Sequence, residues 1–222
     1  MIRIEAIFIG EPKSITDEKG TWLSAIYRTR VEGPIELRER SLAGDQVADT
    51  KNHGRPGQAV CVHPIVHYDF WNAAYDLDGE RSLGPGSLGE NWTISGGDEE
   101  TVFCGDVYRV GTAIVQVSGP RGPCWKQERK LGLNGFLKGT IDSMRTGFYL
   151  QVLQPGIVNT GDNWALENRF NDPIAVSLVN QAAYRGVEPD VFERIMSAEG
   201  VVSGWKDILR ARFAEKVISN QS

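Results

Sequence analysis

The chain has 222 residues, enough for one substantial core or for a domain of about 150 residues with a small appendage. Its formal net charge of −5 argues against broad binding to nucleic acid or acidic membranes, and no apolar run reaches the roughly 18 to 20 residues that a membrane span requires. Three cysteines do not make a disulfide framework and Met1 to Gly10 lacks the features of a signal peptide, so a cytoplasmic protein with reduced thiols is expected.

From Met1 to about Val158 the chain is rich in glycine, turn signals and short apolar alternations. Ile2–Ile9, Ala25–Arg28, Ile35–Arg38, Ala59–Val62, Tyr108–Val117 and Phe148–Leu153 read as strands. Many short strands with few helices between them predict a mainly β fold, a barrel or a sandwich. Three short helices interrupt it. After Pro64, the residues His67, Phe70, Trp71 and Ala74 recur at helical spacing; a second helix opens at Pro123, and a third runs from Phe136 to Met144. The tail is helical. Asp172-Pro173 opens one helix that Gly186 stops, Pro189 opens another that Gly200 stops, and Ser203 caps a third bearing Trp205, Ile208, Leu209 and Phe213 on one face. The expected division is a β domain over residues 1–165 and a three-helix segment over 166–222 that packs on the β domain or on a partner chain.

Several familiar patterns carry no function here. Gly84-Pro85-Gly86-Ser87-Leu88-Gly89 has dinucleotide-binding spacing, but a polar loop precedes it and a strand-like segment follows, whereas the fingerprint needs a strand before and a helix after. Asn91-Trp92-Thr93 is a glycosylation sequon without meaning unless the chain is secreted. His63 and His67 stand four apart, as zinc ligands on a helix do, yet Pro64 falls between them and no third ligand is evident. A Gly-x-Ser-x-Gly elbow is absent from the sequence.

Two stretches do carry chemistry. Pro120-Arg121-Gly122-Pro123-Cys124-Trp125-Lys126 places Cys124 in the first turn of the helix that Pro123 opens, among Arg121, Lys126 and Arg129. Unpaired N–H groups and positive charge there favour a thiolate, the form that attacks electrophiles and binds metals. A buried structural cysteine is the alternative. Residues 44–57 pack acids, amides, a histidine and cations between glycines. They read either as a solvated loop or as the cover of a pocket that takes an anionic ligand through Lys51, His53 and Arg55.

Gly44-Asp45-Gln46-x-Ala48-Asp49-x-x-x-His53-Gly54, Gly89-Glu90-Asn91-Trp92-Thr93, Gly105-Asp106-x-Tyr108-Arg109-x-Gly111 and Pro120-Arg121-x-Pro123-Cys124 follow one another in the order and spacing of a known family. Together with Arg145–Leu153 they resemble the MOSC domain, named for the C-terminal domain of molybdenum cofactor sulfurase. With the helical tail, residues 1–217 resemble its stand-alone bacterial members of the YiiM type. The resemblance implies a MOSC-type β-barrel and a molybdenum cofactor (molybdopterin). Cys124 would ligate molybdenum or carry sulfur. Arg121, Asp49, Lys51 and His53 would hold the cofactor, and Glu90 and Asn91 would orient it or the substrate. It further implies reduction of N-hydroxylated small molecules such as hydroxylaminopurine-type bases, with Trp92, Trp125 or Phe70 available to stack a planar base. The alternative is a carrier or relay of sulfur or cofactor through a Cys124 persulfide. No pyridoxal-binding domain and no ferredoxin-like cysteine cluster are recognised in the sequence. No pyridoxal phosphate is therefore expected, and a separate electron-donor protein and a homodimer are.

Overall fold

The computed structural model describes the chain apart from Asn52, Asn171 and residues 220–222, and gives side chains up to Phe213. The polar loop's Asn52 and the last residues of the tail therefore lie outside the described residues. Twelve strands and six helices are formed among those described. Eight strands build one strongly curled sheet: β1 (Arg3–Ile9), β4 (Thr29–Arg30), β6 (Val60–Pro64), β7 (Trp92–Ser95), β8 (Val107–Val110), β9 (Ala113–Pro120), β10 (Phe148–Gln154) and β12 (Trp164–Asn168). Their order is β12-β8-β9-β10-β6-β7-β1-β4, and only the β6–β7 pairing is parallel. The sheet curls until β1 meets the residues that lead into β12. There the Ile4 N–H donates to Asp162 O (3.0 Å), Gly161 N–H to Ile4 O (2.8 Å) and Trp164 N–H to Ile2 O (2.9 Å). This seam pairs backbone groups that an open edge would leave exposed.

Alternation explains the interior. Val60 and Val62 of β6 and Val115 and Val117 of β9 point inward and are fully buried. Trp164 sits at the centre, with Tyr108, Trp92 and Phe148 around it at ring separations of 5.3, 5.9 and 6.4 Å. Aromatic rings at these distances add edge-to-face attraction to their burial. Trp92 is thus core and not available to stack a ligand. The Gly105–Gly111 motif is structural as well: Asp106 is buried, accepts two hydrogen bonds from Arg169 at 2.7 Å each, and accepts one from the Tyr108 hydroxyl at 3.1 Å.

Helix α1 (Val66–Ala74) packs Trp71 and Tyr68 against Phe136 of α3 (Phe136–Ser143) and against Leu88, a small second core outside the barrel. Phe70, by contrast, faces outward beneath the Arg145 guanidinium, 4.0 Å from its ring centre. In the chain α3 follows α2 (Trp125–Leu131), and the turn between them begins at a left-handed Gly132. The tail helices α4 (Val176–Tyr184), α5 (Pro189–Ser197) and α6 (Ser203–Ser219) lie against the barrel, and Val179, Ile195 and Leu209 join the same continuous core as Val115 and Val117.

Three sequence expectations are corrected. Ala25–Arg28 is not a strand: Ile26 N–H turns back onto Ser24 Oγ (3.2 Å), and Arg28 leaves the sheet to pair with Asp45. Tyr108–Val117 is two strands, because Gly111 takes a left-handed conformation (φ +56°) and folds a hairpin. Asp172-Pro173 does not open α4. Residues 174–175 first run extended along 102–104, with Cys104 N–H on Ile174 O (2.8 Å), and the helix starts only at Val176, whose N–H still bonds Val102 O (3.0 Å). The small strands β5 (Ile35–Leu37) and β11 (Gly156–Val158) pair separately.

The hairpin of β2 (Lys13–Asp17) and β3 (Gly20–Ser24) is clamped to α2. Arg129 donates to both carboxylate oxygens of Asp17 (2.6 and 2.5 Å) and lies over the Trp22 ring at 5.1 Å. The Arg129 hydrogen bonds hold the Asp17 pKa down, to about 2. A carboxylate depressed in the fold stabilises it above its ordinary range and loses that contribution as pH falls toward the folded value. Urea unfolding between pH 5 and pH 2 should therefore show a steeper loss of stability for the wild type than for Asp17→Asn. Equal slopes would mean that the clamp contributes nothing to the fold.

Candidate active site

An open cleft of about 780 Å³ lies where several segments converge outside the barrel. The outward positions of β6 and β10 supply its floor, Cys61 and Tyr149, which are directly cross-strand neighbours. The turn from β9 into α2 supplies Arg121 and Cys124, and residues from 24–28, 40–49 and 53–54 supply the rest of the wall. Cys124 is half-buried and caps α2 in an extended conformation, so the helix begins one residue after it and Pro123 stands outside the helix, not at its first position. The reason is local: the Cys124 N–H is held by Gln127 Oε1 at 3.5 Å, while the Gln127 N–H bonds Cys124 O at 3.0 Å.

Arg121 is buried. Its Nη2 donates to Leu88 O at 2.8 Å, and its Nη1 has no partner among the described residues. Burial opposes its charge, but Cys61, Tyr149, Glu90 and Cys124 around it outweigh that and hold it protonated. A buried guanidinium with a free donor beside an open cleft is poised for an acceptor that enters from outside. His53 also lines the cleft; burial, then the charges of Arg121, Lys126 and Arg28, push its pKa below the ordinary imidazole range, with Asp49 opposing. The ring is thus uncharged at neutral pH.

Asn91 lines the cleft, yet its amide is fully engaged. Its Oδ1 accepts from Cys61 N–H (3.0 Å), while Nδ2 donates to Asp45 Oδ2 (3.0 Å) and Phe8 O (3.2 Å). Asp45 in turn accepts from Gly10 N–H (2.8 Å) and pairs with Arg28, whose Nε reaches Gly89 O (3.0 Å). Gly89 must be glycine: φ is +71°, and a Cβ would lie 2.4 Å from Ile26 Cγ1. This lattice fixes the wall.

The sequence-derived set is only partly brought together. Cys124, Arg121, His53, Asp49 and Asn91 share the cleft. Glu90 does not line it. Its carboxylate is fully buried behind the wall, where Oε1 accepts from Tyr68, from Gly86 N–H (2.7 Å) and from Thr93 (2.7 Å). Lys51 does not line it either. Its N–H turns onto Asp49 Oδ1 (3.1 Å), and the side chain is exposed. Trp125 and Phe70 are also outside the cleft. Arg28, Asp45, Cys61 and Tyr149 were not singled out as site residues. Asp45 and Tyr149 stood within stretches that carry the family resemblance, whereas Arg28 and Cys61 read only as strand positions. His63 and His67 are stacked edge to face at 5.3 Å, and His67 Nε2 bonds Glu99 Oε2 at 2.6 Å instead of a metal. Burial pushes the pKa of His63 well down.

The MOSC domain family model matches residues 49–164. The chain is 34% identical to the uncharacterized protein YflK of Bacillus subtilis over 94% of its own length and 91% of that protein. It is 32% identical to a protein of Gibberella moniliformis named "Reductase" over 68% of its length and 27% of that protein. The crystal structure of YiiM from Geobacillus stearothermophilus superposes with a TM-score of 0.79 at 29% identity, covering 96% of this chain and 99% of that one.

Proposed function

We propose, from the premise that this chain belongs to the MOSC domain family, that its cleft holds a molybdenum cofactor and reduces N-hydroxylated small molecules such as hydroxylaminopurine-type bases. The observation that carries this reading is the Cys124 thiol in the same cleft as the buried, partly unpartnered Arg121 guanidinium. The donor set fits the group. Thiolate sulfur suits a soft metal centre, and Arg121, Lys126 and His53 suit a phosphate and a hydrogen-bonding pterin. Among the described residues no cluster of three His, Cys, Asp or Glu side chains could hold a metal ion. Cys124 would therefore be a single protein ligand to a metal that arrives with its cofactor.

When bound, the cofactor supplies the redox couple for N–O cleavage, which consumes two electrons and two protons per R–NH–OH and yields R–NH2 and water. The chain's own residues do the rest. Cys124 would hold the metal, and Arg121, fixed by Leu88 O, would donate Nη1 to an oxygen of the ligand. His53, uncharged, offers the ligand one ring nitrogen that donates and one that accepts a hydrogen bond. Asn91 and Asp45, saturated with internal partners, shape the cleft. Glu90 supports it from behind through Gly86, Tyr68 and Thr93. Electrons come from a separate donor protein.

Protein produced in a host that makes molybdenum cofactor should carry about one molybdenum per chain and reduce N-hydroxylaminopurine with an artificial donor. Protein from a cofactor-deficient host should do neither. Reduction by the deficient preparation would overturn the reading. Cyanide-releasable sulfur on Cys124 without molybdenum would replace it with the sulfur-relay alternative.

A further inference from the structure

A second groove, of about 1000 Å³, adjoins the cleft and shares Gln58 and Tyr149 with it. It lies between the short turn Pro56–Gln58, the end of β9 and the first turns of α6. Close backbone approach builds it. A Cβ on Gly57 would lie 2.7 Å from Val202 Cγ1 and one on Gly119 2.7 Å from Trp205 Cδ1, so only glycine lets α6 seat this deeply. Trp205 Nε1 donates to Pro120 O at 2.9 Å and locks the indole there.

The charge in the groove has one sign. Arg55 and Arg212 line it, and no carboxylate does among the described residues. The Arg55 guanidinium lies against the start of α6, where a Cβ on Gly204 would be 3.3 Å from its Nη1, and its Nη2 donates to Lys51 O at 3.3 Å. Arg212 lies 4.9 Å over the Tyr184 ring and donates one N–H to Ala183 O. Each guanidinium has five donors, so both retain N–H groups for an anion. Tyr149, Tyr184, Trp205 and the exposed Ile208 supply aromatic and apolar surface around them. At the wall shared with the cleft, Gln58 Oε1 is buried and has no partner among the described residues. That leaves an amide group ready for a ligand that crosses the wall. The polar loop thus divides its basic side chains: the uncharged His53 lines the cleft, and the cationic Arg55 lines the groove.

We propose that this groove binds the phosphate end of a nucleoside monophosphate, held by Arg55 and Arg212, whose base passes Gln58 and Tyr149 into the Cys124 cleft. This rests on reading the cleft as the reducing centre, and it shifts the substrate class from free N-hydroxylated bases to their nucleotides. A free base would leave both arginines and the groove unused.

Binding is measured on the full chain, with and without cofactor, by Trp205-sensitive fluorescence and calorimetry, using adenosine 5′-monophosphate, adenosine and inorganic phosphate. The monophosphate should bind at least about 10-fold more tightly than either of the others, and Arg55→Gln and Arg212→Gln should each weaken it about 10-fold, as loss of a charge-assisted contact does. Molybdenum content and melting temperature should stay at wild-type values in Arg55→Gln. Reduction of N-hydroxyadenosine monophosphate should exceed that of the free base in kcat/KM, by a margin that Arg55→Gln removes. Equal affinity for monophosphate and adenosine, or unchanged affinity in both variants, would overturn the proposal. So would loss of molybdenum in Arg55→Gln, which would assign the groove to the cofactor. Arginine-dependent monophosphate binding without any reduction would leave the groove standing and remove the reductase reading. Reduction of base and nucleotide at equal kcat/KM would do the reverse.

Discussion

Cys124→Ala should lower bound molybdenum and N-hydroxyl reduction by about 100-fold or more, since even supporting contacts around a metal cost 10- to 100-fold when lost. It should leave the unfolding free energy within about 0.5 kcal/mol of wild type, as substitutions away from a packed core do. The split follows from placement. Cys124 is half-buried at the mouth of α2, and its hydrogen bonds with Gln127 use backbone N–H and C=O, which alanine keeps. Cys104 is the control. It is buried at 2% exposure, and burial pushes its thiol up to about 12, so it packs as a small apolar side chain. Cys104→Ala should therefore reduce stability and leave metal content per folded protein unchanged. Metal analysis and urea titration on the two variants test the contrast. If Cys124→Ala retains molybdenum while losing activity, the thiol takes part in the chemistry without ligating the metal.

The parts of the fold that were legible in the sequence are those in which short-range pattern decides. Alternation in β1, β6 and β10, the proline at the start of α5 and the glycines after α4 and α5 are local signals, and the elements follow them. The hairpin β2–β3 had such a signal too, five residues on each side of Glu18-Lys19, but its polar outward faces hid it. Contacts distant in sequence were not legible. Nothing in Ala25–Arg28 announces that Arg28 will pair with Asp45 across 17 residues and pull the chain out of the sheet. The delayed start of α4 has the same cause, since residues 174–176 find backbone partners at 102–104. The site divides along that line. Cys124 and Arg121 were found because five residues of one motif place them side by side. Glu90 and Asn91 belong to a motif that fixes the wall from behind, and adjacency in sequence does not reveal which of two neighbours faces the cleft. Lys51 reads like His53 in the chain, yet the turn at Asp49 sends the two side chains different ways.

Asn91→Ala should cost about 3 kcal/mol or more, because a buried donor or acceptor left unsatisfied costs roughly 1–3 kcal/mol each. Three groups lose their partner at once: the Cys61 N–H, the Phe8 carbonyl and Asp45 Oδ2. Asp45 keeps Gly10 N–H and Arg28, so its share of the loss is the smallest. Domains have only about 5–15 kcal/mol in total, so this variant should unfold at a markedly lower urea concentration. Asn91→Asp should be no better, because it sets a second carboxylate against Asp45 and removes the donor to Phe8 O. Trp125→Ala, at a residue 50% exposed whose ring meets Trp22 and Arg129, is the comparison and should cost clearly less. Both Asn91→Ala and Cys124→Ala should lose molybdenum, but for different reasons, and stability separates them. Asn91 holds the strand entering β7 against β1 and β6, so its removal loosens the wall before any ligand arrives. If Asn91→Ala unfolds like the wild type and still loses the metal, its amide contacts the cofactor directly, and the internal hydrogen bonds that saturate it here must open on binding.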